Sequence, residues 1–230
     1  MTHRPDPMPS FVAIVPARRY DRFIPNKNLL PFAGTTLLTH KLRQLARVAN
    51  LDGIVVSSDD ATCLEIADRE GAIPVPRPER HAGPDSDFGE FVAYIAGEVS
   101  AEHILWASPT SPLVDAPDYE LGIRTYREQV GGKYDSLITV NRIKRNLLDE
   151  NGPLTFRFQR TKRTANRLPT LFEFTNGMVI APRLSMLRWR YNWGPMPYPL
   201  ELGAMKSINI CEPLEYEYAR YLHERCETAP

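Results

Sequence analysis

The chain has 230 residues, 28 Lys and Arg against 28 Asp and Glu, and 43% hydrophobic residues. That size suits one α/β domain over residues 1–230, while the absence of net charge gives no case for a nucleic-acid coat or a membrane surface, and no apolar run approaches the roughly 20 residues of a span. The cysteines Cys63, Cys211 and Cys226 make no C-x-x-C pair and the N-terminus has no apolar core, so a cytoplasmic protein without a disulfide framework or zinc site is expected.

In chain order, residues 1–10 carry three prolines and predict a disordered lead. Phe11-Val12-Ala13-Ile14-Val15 is short, apolar and β-branched, a buried strand. Pro16 and Pro25 then interrupt regular structure, predicting a loop that carries Arg18, Arg19, Arg22 and Lys27, with Asn28 before the next apolar pair. Loops at the carboxyl end of the first strand are where open α/β sheets bind ligands, and a cationic one suits a polyphosphate. Thr35 or Thr36 caps a helix through Leu38, Leu42, Leu45 and Ala49. Gly53–Ser57 reads as the second strand, followed by a helix opened by Asp59 and Asp60 and closed by Gly71. Ile73-Pro74-Val75 is a third strand; Phe88, Val92, Ile95 and Val99 mark another helix, and His103–Ala107 a fourth strand. Strands alternating with helices of this length predict a parallel sheet with right-handed crossovers. Residues 142–174 are charged and poorly periodic, with a turn at Asn151-Gly152-Pro153, and read as an excursion from the sheet. Asn176–Ala181 returns to strand character, Ser207–Cys211 reads as a last strand, and Pro213 opens a helix with Leu214, Tyr218, Tyr221 and Leu222 inward.

No G-x-G-x-x-G follows the first strand and no G-x-x-x-x-G-K-[ST] occurs, which argues against a dehydrogenase or a P-loop NTPase. The stretch V-P-A-R-R-Y-D-R-F-I-P-N-K-N from Val15 to Asn28 instead resembles the I-P-A-R-G-G-S-K-x-I-P-x-K-N-I signature of the acylneuraminate cytidylyltransferases, the CMP-sialic acid synthetase family. Arg19-Tyr20-Asp21 stands where that family has Gly-Gly-Ser. R-P-E-R-H-A-G-P-D-S-D from Arg77 resembles the family's cytidine-contacting R-P-x-x-L-A-x-D-x-S-S, with Phe88 where a second serine is common. Ser108-Pro109-Thr110-Ser111-Pro112-Leu113 resembles Q-P-T-S-P-L, and Phe174-Thr175-Asn176-Gly177 the family's Y-x-E-N-G. Ser207–Ala219 follows S-V-D-I-D-T-x-x-D-F-E-x-A, with Asn209 and Cys211 in place of the two aspartates that hold magnesium there.

The resemblance implies a Rossmann-like (GT-A-like) nucleotidyltransferase sheet that joins CTP to a sugar acid or similar anion, with magnesium as cofactor and a homodimer built on the 142–174 excursion. It implies that Arg18 and Lys27, with Arg163 or Arg167, carry catalysis, and that Ala17, Arg18, Asn28, Arg77, Ser86 and Ser108 hold the nucleotide. Ser108, Thr110 and Asn176 would hold the acceptor, and Asn209 and Asp21 are the candidate metal residues. Two rivals stand beside this reading: transfer with another nucleotide or to another acceptor such as a phosphonate, and a non-catalytic nucleotide-binding relative.

Overall fold

The computed structural model describes residues 10–156 and 168–228. In chain order β1 (Phe11–Pro16) leads to a short hairpin, β2 (Pro31–Phe32) and β3 (Thr35–Thr36), then α1 (Leu37–Leu45), β4 (Gly53–Ser58), α2 (Ala61–Arg69) and β5 (Ile73–Pro76). There follow α3 (Phe88–Glu98), β6 (His103–Trp106), α4 (Ala116–Gln129), β7 (Ser136–Ile143), a minor hairpin of β8 (Leu148–Asp149) and β9 (Gly152–Pro153), β10 (Leu171–Pro182), α5 (Arg183–Trp189), β11 (Pro197–Glu201) and α6 (Pro213–Thr228).

Seven strands form one sheet in the order β11-β7-β10-β6-β1-β4-β5. Only β10 runs against its neighbours; the β1–β4, β1–β6, β4–β5 and β7–β11 pairs are parallel. β1 sits at the centre, Ile14 pairing with Val55 on one side and Trp106 on the other. A strand covered on both faces needs apolar residues at every position, which accounts for the unbroken run Phe11–Val15, all buried. One face packs on α1, α2 and α4 through Leu38, Leu42, Ile66, Tyr119 and Ile123. The other packs on α3 and α5 through Val92, Ile95 and Met186. Thr36 caps α1, accepting from the Thr39 amide, and Asp60 caps α2, accepting from that of Thr62. Among the described residues no helix is long and apolar enough to cross a membrane.

The expected excursion leaves the sheet after Ile143 and rejoins it at Leu171, since Arg142 and Phe172 are paired in the β7–β10 ladder. Residues 157–167 of that excursion, and residues 1–9 of the expected lead, lie outside the described residues.

Two sequence expectations are corrected. Ser207–Cys211 is a 3₁₀ turn (Met205–Ser207) followed by irregular backbone, anchored by the Ile210 amide on the Thr110 carbonyl rather than by a strand partner. In α6, Leu214 is 79% exposed and Tyr218 and Tyr221 are exposed as well, whereas Ala219 is fully buried. The inner face is rotated because α6 docks on the β2–β3 hairpin, where Ala219 joins Phe32, Leu37 and Ile210, and Tyr216 donates to the Pro31 carbonyl.

Candidate active site

The loop after β1 is pinned to β4 at its start. The Ala17 amide donates to the Ser57 carbonyl at 2.9 Å, and the Ser58 hydroxyl donates to the Ala17 carbonyl. Asn28 closes the loop by donating to the Arg18 carbonyl at 2.9 Å. Asp21 then shapes the turn. Its Oδ1 accepts from the amides of Phe23 and Ile24, both at 3.0 Å, and its Oδ2 meets the Lys27 ammonium at 2.7 Å. Burial pushes the Asp21 carboxyl up, but Lys27 and the two amides outweigh it and hold the group below its ordinary value. Lys27 also donates to the carbonyls of Ile210 at 3.1 Å and Cys211 at 3.4 Å.

On the far side, Arg77 follows β5, its amide held by the Ser58 carbonyl at 2.8 Å. Its guanidinium lies 3.6 Å from the centroid of the Phe91 ring and donates to the Ser57 carbonyl at 3.3 Å. Burial brings Arg77 down to about 10, so it stays charged at neutral pH. Its Nε has no partner among the described residues. Ser86 lies just before α3, its amide donating to the Gly83 carbonyl.

The loop after β6 supplies the third side. Ser108 and Thr110 share a hydroxyl contact of 2.7 Å, and Thr110 donates to Asn209 Oδ1 at 2.6 Å. Behind this loop stands a residue that motif reading missed. Lys41, fully buried, donates to the carbonyls of Ser111 at 3.0 Å and Val114 at 2.9 Å and to the Tyr119 hydroxyl at 2.8 Å. Asn176 arrives from β10, where the pairing slips between Phe174 and Val179 and Asn176 takes φ 55°. Asparagine tolerates this left-handed backbone, and such bulges re-aim a side chain beside a site.

Arg18, Asp21, Lys27, Asn28, Arg77, Ser86, Ser108, Thr110 and Asn176 together line one cavity of about 370 Å³. Ala17 is fully buried, its amide and carbonyl bonded to Ser57 and Ser58, and neither it nor Asn209 lines the cavity. Arg163 and Arg167 lie outside the described residues. A larger cavity of about 560 Å³ lies between α1 and α6, but none of the predicted site residues borders it. Its cations are already paired, Arg43 with Glu70, Arg47 with Asp115 and Lys206 with Asp118, so size alone does not identify the site.

Sequence reading also missed an aromatic wall on the motif-lined cavity. Phe174 meets Trp193 at 6.0 Å between centroids, Trp193 meets Tyr191 at 5.4 Å, Tyr191 meets Phe88 at 5.3 Å, and Phe88 meets Trp106 at 6.0 Å. Phe88, Phe174 and Tyr191 are each about 40% exposed (43%, 40% and 42%), as a ligand surface would be. The run Tyr191-Asn192-Trp193, two aromatics in three residues, was its one local sign.

The donor set does not fit magnesium. That ion wants hard oxygens in near-octahedral array. Asn209 has its oxygen accepting from Thr110 and its amide nitrogen on the Cys211 sulfur at 3.2 Å, and Asp21 is neutralised by Lys27. Among the described residues no group of three or more His, Cys, Asp and Glu is placed to hold a metal. The oxygens that Asn209 and Asp21 would bring to the expected metal roles are engaged within the protein.

Residues 12–186 match the family model described as cytidylyltransferase. The chain is 24% identical over 221 residues to the N-acylneuraminate cytidylyltransferase of Escherichia coli, covering 93% of this chain and 52% of the relative, so it spans about half that protein's length. A pseudaminic acid cytidylyltransferase of Campylobacter jejuni is 34% identical over 61 residues, 26% of each chain. The fold resembles CMP:2-keto-3-deoxy-manno-octonic acid synthetase complexed with CTP (TM-score 0.68, 15% identity, 94% of this chain and 99% of that one). It also resembles the 4-diphosphocytidyl-2C-methyl-D-erythritol synthase of Anaerococcus prevotii (TM-score 0.64, 11% identity, 94% and 98%). With a family model spanning most of its length, this chain belongs to the cytidylyltransferase family.

Proposed function

We propose that this protein is a cytoplasmic cytidylyltransferase that transfers CMP from CTP to an anionic acceptor, a sugar acid of the 2-keto class, and releases pyrophosphate. The observation that carries this reading is convergence: the cations Arg18 and Lys27, the nucleoside candidates Arg77 and Ser86, and the acceptor candidates Thr110 and Asn176 border a single cavity. In this reading an acceptor hydroxyl oxygen attacks the α-phosphorus in line. The bond from that phosphorus to the α,β-bridging oxygen breaks, pyrophosphate leaves with the electron pair, and the hydroxyl proton goes to solvent. Arg18 and Lys27 stabilise the charge that builds on the phosphates, as fixed cations cost no reorganisation during reaction. Thr110 and Asn176 orient the acceptor, and the aromatic wall packs on its C–H face and excludes water.

The sugar-acid assignment draws on the named relatives, which act on N-acylneuraminate and pseudaminic acid. A second reading has the same nucleotide but a non-sugar acceptor, such as a phosphonate with a more apolar body, favoured by the aromatic wall and by Phe88 standing where a serine is common in the resembled family. The test is pyrophosphate release from CTP with a panel of 2-keto sugar acids and phosphonates, beside thermal shifts with CTP, UTP, GTP and ATP. CTP should give the largest shift and a sugar acid the fastest release. Equal shifts with all four nucleotides would remove the cytidine assignment, and release with phosphonates alone would move the acceptor to the second reading.

A further inference from the structure

Lys27 is an unusual cation for a phosphate loop because its charge is already engaged. Its side chain is only 10% exposed, and three oxygens from two distant segments surround the ammonium: Asp21 Oδ2 at 2.7 Å, the Ile210 carbonyl at 3.1 Å and the Cys211 carbonyl at 3.4 Å. One carboxylate and two carbonyls form a hard-oxygen set of the kind that coordinates a divalent ion. The cradle is rigid on both sides. Asp21 is fixed by the Phe23 and Ile24 amides, and the 210–212 segment by the Ile210 amide on Thr110 and by Glu215, whose Oε2 accepts from the amides of Cys211 at 2.6 Å and Glu212 at 2.9 Å. The same 209–211 segment carries an asparagine and a cysteine at the positions that in the resembled motif are carboxylates.

We propose that the Lys27 ammonium is the resident cation of this site, filling a three-oxygen cradle that would otherwise take a divalent ion, so that the nucleotide-free protein holds no divalent metal. An ammonium in the cradle repels a second cation and uses up the one carboxylate that would attract it. Asn209, partly buried, and Cys211, exposed, stand where the resembled motif has aspartates, so that segment adds no second carboxylate that would draw a divalent ion to the filled cradle. The inference needs no nucleotide, so it stands or falls separately from the assignment of CTP or of the acceptor.

The test is a Mn²⁺ titration of the full chain without nucleotide, following the free ion by electron paramagnetic resonance. Wild type should leave the ion free. Lys27→Met keeps the aliphatic stem and removes the charge, and should take up one Mn²⁺ per chain, with a Kd of about 0.1–1 mM as befits a site with one carboxylate. Adding Asp21→Asn to that variant should abolish uptake. One-to-one Mn²⁺ binding by wild type, or none by a Lys27→Met protein that retains its circular dichroism, overturns the proposal. Should Lys27→Met not fold, trace acetylation of wild type with peptide mass mapping decides. Lys27 should stay unmodified while the exposed Lys133 and Lys144 react, and Asp21→Asn should make it reactive. Acetylation of wild-type Lys27 at the rate of those exposed lysines overturns the proposal too.

Discussion

Lys27 and Arg22 sit five residues apart in one cationic loop and have different fates. Lys27 is buried on the cavity, whereas Arg22 is exposed and lies over the Phe23 ring at 5.5 Å. Lys27→Ala is therefore expected to lower turnover on the order of 10²-fold, by analogy with losing one preorganised charge, while Arg22→Ala stays near wild type. Initial rates of pyrophosphate release for the two variants check this; the opposite ranking would reassign the loop. Lys41 gives a stability prediction. Burial brings its amine from 10.5 to about 7 in the folded protein, the charges of Asp115 and Asp118 opposing only in part. Between about pH 7 and 10.5 the unfolded chain binds the proton and the folded one does not, so stability rises with pH across that window, by at most about 1.4 kcal/mol per pH unit, and this residue adds no pH dependence below 7 or above 10.5. Lys41→Met removes that dependence along with the hydrogen bonds to Ser111 and Val114, whose loss does not vary with pH. The stability gap between wild type and Lys41→Met should widen from about pH 7.5 to about 9.5 in urea melts; a constant gap would mean that Lys41 stays protonated throughout.

β10 is the element that brings the acceptor side to the nucleotide side, and its bulge is where that happens. A Cβ at Gly177 would lie 3.0 Å from Val114 Cγ2 and 3.1 Å from Thr139 Oγ1. Both neighbours are fully buried, and Thr139 is tied to the Met178 amide at 2.9 Å, so neither yields easily. Gly177→Ala should cost about 1–3 kcal/mol in a urea melt. By displacing Asn176 it should also raise the acceptor KM on the order of tenfold while the CTP thermal shift holds. A changed CTP shift would place Asn176 on the nucleotide instead. Other elements show what local sequence contains. The caps of α1 and α2 were legible because Thr36 and Asp60 act on amides two or three residues away. α4 announces itself equally well, with an Asp115–Asp118 capping box and a proline in its first turn, but the chain-order reading passed over it. α6 was legible as a helix and not in its orientation. Tyrosines sit well at a surface with the hydroxyl in water, and the small Ala219 is what the β2–β3 hairpin accepts.

The assembled molecule raises the question of pairing. Outside the sheet the described part of the 142–174 excursion exposes Leu148 at 62% and Leu154 at 60%. A homodimer through this region is expected by light scattering at tens of micromolar (roughly where weak pairs are populated), and Leu148→Glu with Leu154→Glu should return it to monomer; a wild-type monomer would remove the expectation. What the sequence determined by itself was whatever depends on neighbours along the chain: the unbroken apolar strand Phe11–Val15, the alternation of strands and helices, and the order of the short motifs that border the cavity. What only the tertiary structure decided was which distant groups meet. Lys27 finds Ile210 across 183 positions, Asp21 pairs with that lysine, and five aromatic residues between Phe88 and Trp193 become one wall. These contacts follow from how helices and loops pack on both faces of one sheet, and no local propensity encodes that packing.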